Sequence, residues 1–238
     1  MKFKNLRNRE VTNSFYHLLN NLNRINCYNS KSQSIYKETT ELTLNHDDYR
    51  IWFKRNLLPN TRLIIEPKIC GSPLLLLYKQ GLCKKAFHKG NTVNTDLIKE
   101  IKSIPLEIPI HTDIQIRGEV YGIGQDAKKS NKLSKEYLTT GLNKVGSLNF
   151  CSFQILNSNL NHKSELTELT KLCFQVPDNE CTKFNINEIE IYRKLWLEGK
   201  LFNNYPTNGL VLKVNNKKFQ KQLGEVNGCP NWARAIRN

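Results

Sequence analysis

Glu66-Pro67-Lys68-Ile69-Cys70-Gly71 sets a lysine at the end of an apolar run, two residues from a glutamate and beside a glycine turn. Only a neutral amine attacks an electrophile, so such a lysine becomes a nucleophile where burial or a neighbouring cation lowers its pKa. On a solvated strand end the same residue is an ordinary surface charge, as most lysines are. Two further stretches place a charged side chain on or next to a strand flanked by glycine: Arg117-Gly118-Glu119-Val120 and Asn208-Gly209-Leu210-Val211-Leu212-Lys213. Glycine in such places lets a backbone come close to a phosphate-bearing ligand. Together the three segments point to amine chemistry beside a phosphate.

The elements that must position them are legible from periodicity. Tyr49, Trp52, Phe53 and Leu57 recur at helical spacing, after Asn45 or Asp47 as a cap and before Pro59 as a stop. Strands are expected at 63–69, 74–79 and 83–90, read as a meander with a turn at Gln80-Gly81. A helix at 94–103, closed by Pro105, leads to a strand at 113–123, in which Gly118 marks a bulge or close approach. Residues 124–149 read as a polar loop with one short helix, followed by a strand at 150–156. Helices near 163–172 and at 187–198 frame a short strand around Phe174 and Val176, the second with Ile189, Tyr192, Leu195 and Trp196 on one face. A strand at 209–214 and a Lys/Gln-rich helix or turn at 215–223 precede CPNWARAIRN. This order of strands and helices predicts an α+β domain built on antiparallel sheets. Residues 1–40 are polar, with one apolar cluster at Phe15-Tyr16-His17-Leu18-Leu19, and read as a loosely held arm.

Composition narrows the class. A chain of 238 residues at 39% hydrophobic can bury a sizeable core, which excludes disorder throughout. No window approaches the roughly 20 apolar residues of a membrane span, and the amino terminus has charges without an apolar stretch behind them, so an intracellular soluble protein is expected. Seven cysteines are an odd number without a CxxC pair, which argues for free thiols, against a disulfide framework and against a zinc site. No metal ligands are assigned. The net charge of +15 makes a polyanion the expected partner, a nucleic acid before an acidic protein or membrane surface. Abundant Asn, Lys and Ile suggest an AT-biased coding sequence, which contributes part of that charge.

Residues 41–238 resemble the adenylation (nucleotidyltransferase) domain of NAD-dependent DNA ligases. The likeness is carried in order by ELTLNHDDYRIWFKR, IEPKICG, GNT after Lys89, KSIPL, IRGEVY, the FCSF strand, YPTNGLVLKV, QLG and CPNWARA. It implies a nucleotidyltransferase (ATP-grasp-like) α+β fold, with antiparallel sheets flanked by helices. It also implies that Lys68 attacks the adenylyl phosphate of NAD to form lysyl-AMP, releasing nicotinamide mononucleotide. The AMP then passes to a DNA 5′-phosphate and is displaced by a 3′-hydroxyl. By resemblance Glu66 contacts the adenine, Lys89 stands for an arginine that holds the nucleotide, Glu119 contacts the ribose, Lys213 contacts the phosphate, and Arg237 ends the WAxAxK motif. The resemblance implies NAD and Mg2+ as cofactors, nicked DNA as partner with RNA as an alternative, and a bacterial or endosymbiont cytoplasm or an organelle interior as the setting.

The departures fall on the chemistry. The family's KxDG aspartate is Cys70, and the aspartate opening DGxVxK is Asn208, which accepts a hydrogen bond but carries no charge for magnesium. Lys89 lacks the planar fork of the arginine it replaces, and Arg237 replaces a lysine. Glu136 and Lys144 fall at or near the positions of two family arginines. The arm at 1–40, with Tyr16-His17, is a candidate remnant of the module that grips the nicotinamide mononucleotide, and the expectation is a domain that lacks the oligonucleotide-binding barrel and later modules. The expectation is an adenylation domain impaired or inactive in catalysis, with three readings open: a degenerate domain reused as a basic nucleic-acid or ribonucleoprotein component, a reduced nucleotidyltransferase completed by a separate chain, or a structural protein sharing only the fold. Among single residues, Cys70 is read as a small filler rather than a reactive thiol, and Trp52, Trp196 and Trp232 as core. His88 is read as structural rather than a phosphate or base contact, and Lys217, Lys218 and Lys221 as either a solvated face or a nucleic-acid track.

Overall fold

β1 (Arg62–Ile69) shows how the sequence builds two cores with one strand. Side chains alternate across a strand, so Leu63 and Ile65 enter one apolar cluster while Ile64 enters another. The structure, a computed structural model, describes residues 49–101, 103–141, 147–226 and 229–237. The arm at 1–40, the cap at Asn45 or Asp47, and Lys144 lie outside the described residues.

Two antiparallel sheets dominate. The four-stranded sheet has the order β11-β8-β1-β7, with β7 at Glu180–Lys183, β8 at Thr207–Val214 and β11 at Ala233–Ile236. The five-stranded sheet has the order β4-β3-β2-β5-β6, formed by β2 (Ser72–Lys79), β3 (Leu82–His88), β4 (Asn91–Val93), β5 (Ile114–Gly122) and β6 (Leu148–Ile155). A two-stranded ladder joins β9 (Glu225–Val226) to β10 (Cys229–Pro230). Helices α1 (Tyr49–Asn56) and α5 (Ile186–Leu197) pack on the four-stranded sheet through Trp52, Phe53 and Ile189, against Leu63, Ile65, Leu210 and Leu212. The larger core runs from Ile64 through Leu74, Leu76, Tyr78, Ile116 and Phe150 to Leu166 and Leu169 of α4 (His162–Lys171). Each fully buried side chain of this size contributes about 1.5–3 kcal/mol by leaving water.

The abundance of asparagine has a structural use. Asn94, Asn185 and Asn216 cap α2 (Thr95–Lys99), α5 and α6 (Lys217–Leu223), each accepting a backbone N–H in the first turn. α3 (Ala127–Thr140) is capped by Asp126 and ends at Gly141 with φ 67°.

Four expectations are corrected. The meander is two separate pieces: β1 pairs with β7 and β8, while β2 pairs with β3 and β5, so the chain changes sheets at Cys70-Gly71 instead of turning a hairpin. Residues 124–149 hold a 14-residue helix, α3, rather than a loop with one short helix. Helix 94–103 stops at Lys99 because Ile101 and Ile104 bond back three residues to Ile98 and Ile101 in successive turns before Pro105. Phe174–Val176 form no strand; Gln175 O accepts the N–H of Ser152, and Phe174 packs on Tyr78 and Phe150. The Gly118 bulge is present as a register shift between Arg117 and Gly118 in the β5/β6 ladder.

Candidate active site

The crossing between sheets at Cys70-Gly71 opens a cleft of about 310 Å3. All six residues singled out from sequence, Glu66, Lys68, Lys89, Glu119, Lys213 and Arg237, line it. They arrive from separate elements. Glu66 and Lys68 stand on β1, Lys213 on β8 and Glu119 on β5. Lys89 sits in the tight turn between β3 and β4, where Lys89 and Gly90 both have positive φ. Arg237 follows β11, brought to the cleft because Gly209 lets the neighbouring strand end come close: a Cβ there would lie 2.1 Å from Ile236 O, and φ is 154°. Gly71 does the same for β5, since its Cβ would lie 2.1 Å from Val120 O. At these two positions only glycine fits.

At one end of the cleft lies a buried chain of hydrogen-bonding side chains. Glu66 Oε2 accepts from Lys213 Nζ at 2.7 Å. Glu66 Oε1 accepts from Nε2 of His162, whose Nδ1 is 3.5 Å from Glu165 Oε2. Glu165 Oε1 in turn accepts the N–H of Ile155 at 2.8 Å. Burial alone would raise the Glu66 pKa, yet Lys213 and His162 outweigh it and hold the carboxyl down at about 2. Lys213 Nζ also lies 4.9 Å from the centroid of the Phe153 ring, which lines the cleft.

Around Lys68 the balance is different. Its pKa is pushed below the ordinary lysine value by burial first and then by Arg237, with Cys70 and Glu119 opposing. Cys70 is pushed up, chiefly by burial, so its thiol is no activated nucleophile. α3 docks on this corner through two serines: Ser130 Oγ donates to Cys70 O, and Ser134 Oγ lies 3.2 Å from Ser72 Oγ. That contact turns Asn131 and Lys135, one helical turn apart, toward the cleft that they line.

Sequence reasoning missed His162, Phe153, Asn131 and Lys135. Phe153 was within reach, as the second aromatic of the FCSF strand; the others depended on contacts distant in sequence. Among the single residues, Trp52 and Trp232 are buried, Trp196 is half-buried, and the indoles of Trp52 and Trp196 donate to Asn231 O and Thr207 Oγ1. His88 is buried with Nδ1 on Pro73 O at 2.9 Å, a structural contact. Glu136 lies 3.9 Å from Lys132 along α3, and Lys221 donates to Asn159.

Magnesium, implied by the resemblance, asks for hard oxygen donors, usually one or two carboxylates beside the ligand's phosphates. Cys70 is a thiol and Asn208 a neutral amide, while Glu66 is committed to Lys213 and His162. The remaining lining carboxylate, Glu119, shares the cleft with Lys68, Lys89, Lys135 and Arg237. Among the described residues no three His, Cys, Asp or Glu side chains gather into a metal site. This donor set does not fit a bound magnesium ion.

Comparison with known proteins places these observations. The model of the NAD-dependent DNA ligase adenylation domain matches residues 40–146 and 141–237. A DNA ligase of Phytoplasma mali is 27% identical over 241 residues, covering 87% of this chain and 36% of that protein. A DNA ligase of Borreliella burgdorferi strain ZS7 is 32% identical over 202 residues, covering 73% of this chain and 30% of that protein. The chain therefore spans about a third of the length of these curated relatives. A solved Lig E DNA ligase, described as binding DNA with a minimal scaffold, overlays with a TM-score of 0.53 at 13% identity, covering 83% of this chain and 68% of that one. At that identity the overlay shows a shared fold. Among the described residues no helix is long and apolar enough to cross a membrane.

Proposed function

The chain belongs to the family of NAD-dependent DNA ligase adenylation domains, and from that premise we propose that its cleft transfers AMP from NAD to Lys68, at a reduced rate. The observation that carries this reading is the convergence of Lys68, Glu66, Glu119, Lys213, Lys89 and Arg237 from five strands and turns on one open cleft. Glu66 forms the base end, with the Phe153 ring as a platform on which a purine stacks; Lys213, expected on the phosphate from the resemblance, is assigned here to the same end because it is paired with Glu66 at 2.7 Å. Lys68, Lys89 and Arg237 form the phosphate end, and Glu119 holds the ribose.

In the transfer, Lys68 Nζ attacks the adenylyl phosphorus. An N–P bond forms, the P–O bond to the second phosphate breaks, and nicotinamide mononucleotide leaves with the electron pair on its phosphate oxygen, while the amine sheds a proton. Burial and Arg237 favour the neutral amine that this attack requires. The reduced rate follows from Cys70 and Asn208. Loss of one charged or hydrogen-bonding contact made to a transition state costs about 3–4 kcal/mol, or 10²–10³ in rate, and two such losses do not simply add. The AMP acceptor in this reading is a nucleic-acid 5′-phosphate, with nicked DNA before RNA. Strand joining belongs to the relatives of which this chain spans about a third, and we assign it here only in company with further segments or a separate chain.

The test is the intact mass of the protein after incubation with NAD and magnesium, beside Lys68→Ala. A gain of one AMP that needs Lys68 is expected; no gain with NAD or ATP overturns the reading. The net charge of +15 favours one competing reading, a nucleic-acid-binding component without turnover. That reading predicts no mass gain together with salt-dependent binding of DNA or RNA.

A further inference from the structure

The cleft holds more positive charge than one nucleophile and one base contact require. Glu66 and Lys213 cancel each other at 2.7 Å, leaving Lys68, Lys89, Lys135 and Arg237 along the wall against Glu119. Resting on the nucleotide reading above, we propose that Lys89, Lys135 and Arg237 neutralise the diphosphate of the bound dinucleotide directly, in place of a divalent metal ion.

Three observations carry this beyond charge counting. The carboxylates that would organise a metal beside the nucleophile are absent: Cys70 and Asn208 occupy the cleft wall, and neither is a charged oxygen donor. The cations are built into the fold. Lys135 is aimed by Ser130 and Ser134, which fasten α3 to the 70–72 segment, and Arg237 by the approach that Gly209 permits. Arg237 and Lys68 also act on one another before any ligand enters, Arg237 adding to burial in lowering the amine's basicity while Cys70 and Glu119 oppose it. A dication placed among these groups meets like charge on several sides, whereas a diphosphate with two negative charges meets its complement. Lys135 is the new member of the set, an exposed residue on a helix whose buried face is made elsewhere.

The experiment is calorimetric titration of the full chain with NAD, in EDTA and in magnesium, repeated with Lys135→Ala and Lys135→Arg. Equal Kd in both buffers is expected, with Lys135→Ala about tenfold weaker, the worth of one charge-assisted contact, and Lys135→Arg close to the parent. Binding that strengthens about tenfold or more in magnesium overturns the inference and leaves the nucleotide reading standing. No binding in either buffer overturns both. Binding in EDTA without mass gain at Lys68 supports the inference while ending the transfer reading. Unchanged binding by Lys135→Ala overturns the place given to that lysine.

Discussion

Glu66 and Lys213 meet at 2.7 Å across the β1/β8 ladder, and each is 3% exposed. The ladder sets Glu66 opposite Val211, so Lys213, two residues further on, is its diagonal neighbour on the same face. A buried pair of this kind costs much to bury and more to break, because one partner removed leaves an uncompensated charge. Lys213→Met is therefore expected to lower unfolding stability by about 3–5 kcal/mol, and Glu66→Gln/Lys213→Met to recover much of it. Urea denaturation of the two variants checks this; a loss below about 1 kcal/mol for the single change is the contrary result.

The same pair sets an acid limit on stability. Glu66 has its folded pKa lowered from 4.5 to about 2. Above pH 4.5 the carboxylate is ionised in both states and its contribution is complete. As pH falls from 4.5 toward 2 the unfolded chain takes up a proton that the folded one refuses, so stability drops over that window. The stability difference between the parent and Glu66→Gln should shrink across it, which urea midpoints measured at stepped pH will show. A difference that stays constant down to pH 2 contradicts the role given to Lys213 and His162.

Lys68 and Arg237 set the alkaline side of the reaction. Because burial and then Arg237 lower the Lys68 pKa, AMP transfer should rise with pH to a midpoint below the ordinary lysine value. Arg237→Ala removes one repelling charge, so its midpoint should move up. Single-turnover transfer measured against pH, with Lys68→Ala as blank, checks both. A midpoint that is unmoved or falls in Arg237→Ala contradicts the pairing.

The elements around the site were largely legible because local pattern decides them. β1, β2, β5 and β8 each announced themselves by an apolar run and a glycine, and the three motif segments fall on β1, β5 and β8. What local pattern cannot carry is partnership. The runs at 63–69 and 74–79 are adjacent strands in sequence, yet the turn between them is a change of sheet, and that change is what opens the cleft beside Lys68. α3 was legible only as one short helix without bounds, for a different reason. Its buried stripe, Ser130, Ser134, Tyr137 and Leu138, has helical spacing but begins with two serines, so hydropathy misses it. With the bounds of α3 unread, Lys135 had no position. His162 stands 96 residues from Glu66, and only tertiary packing brings its ring to that carboxylate.

Restoring the missing acids should reverse the metal dependence of the cleft. In Cys70→Asp/Asn208→Asp two carboxylates return beside Lys68, giving oxygen donors that a magnesium ion can share with the ligand's phosphates. Opposite charges close to an amine raise its pKa, so without metal the variant keeps Lys68 protonated and should transfer AMP more slowly than the parent. With magnesium bound the carboxylates are neutralised and the transition state gains a cation, so the variant should overtake the parent, by up to about 10²–10³. The expected result is a crossover: slower in EDTA, faster in magnesium, with the parent nearly indifferent to the change of buffer. Single-turnover rates of both proteins in both buffers decide it. A variant that is insensitive to magnesium, or a parent that needs the metal as much as the variant does, removes the basis for a cleft that works through its own cations.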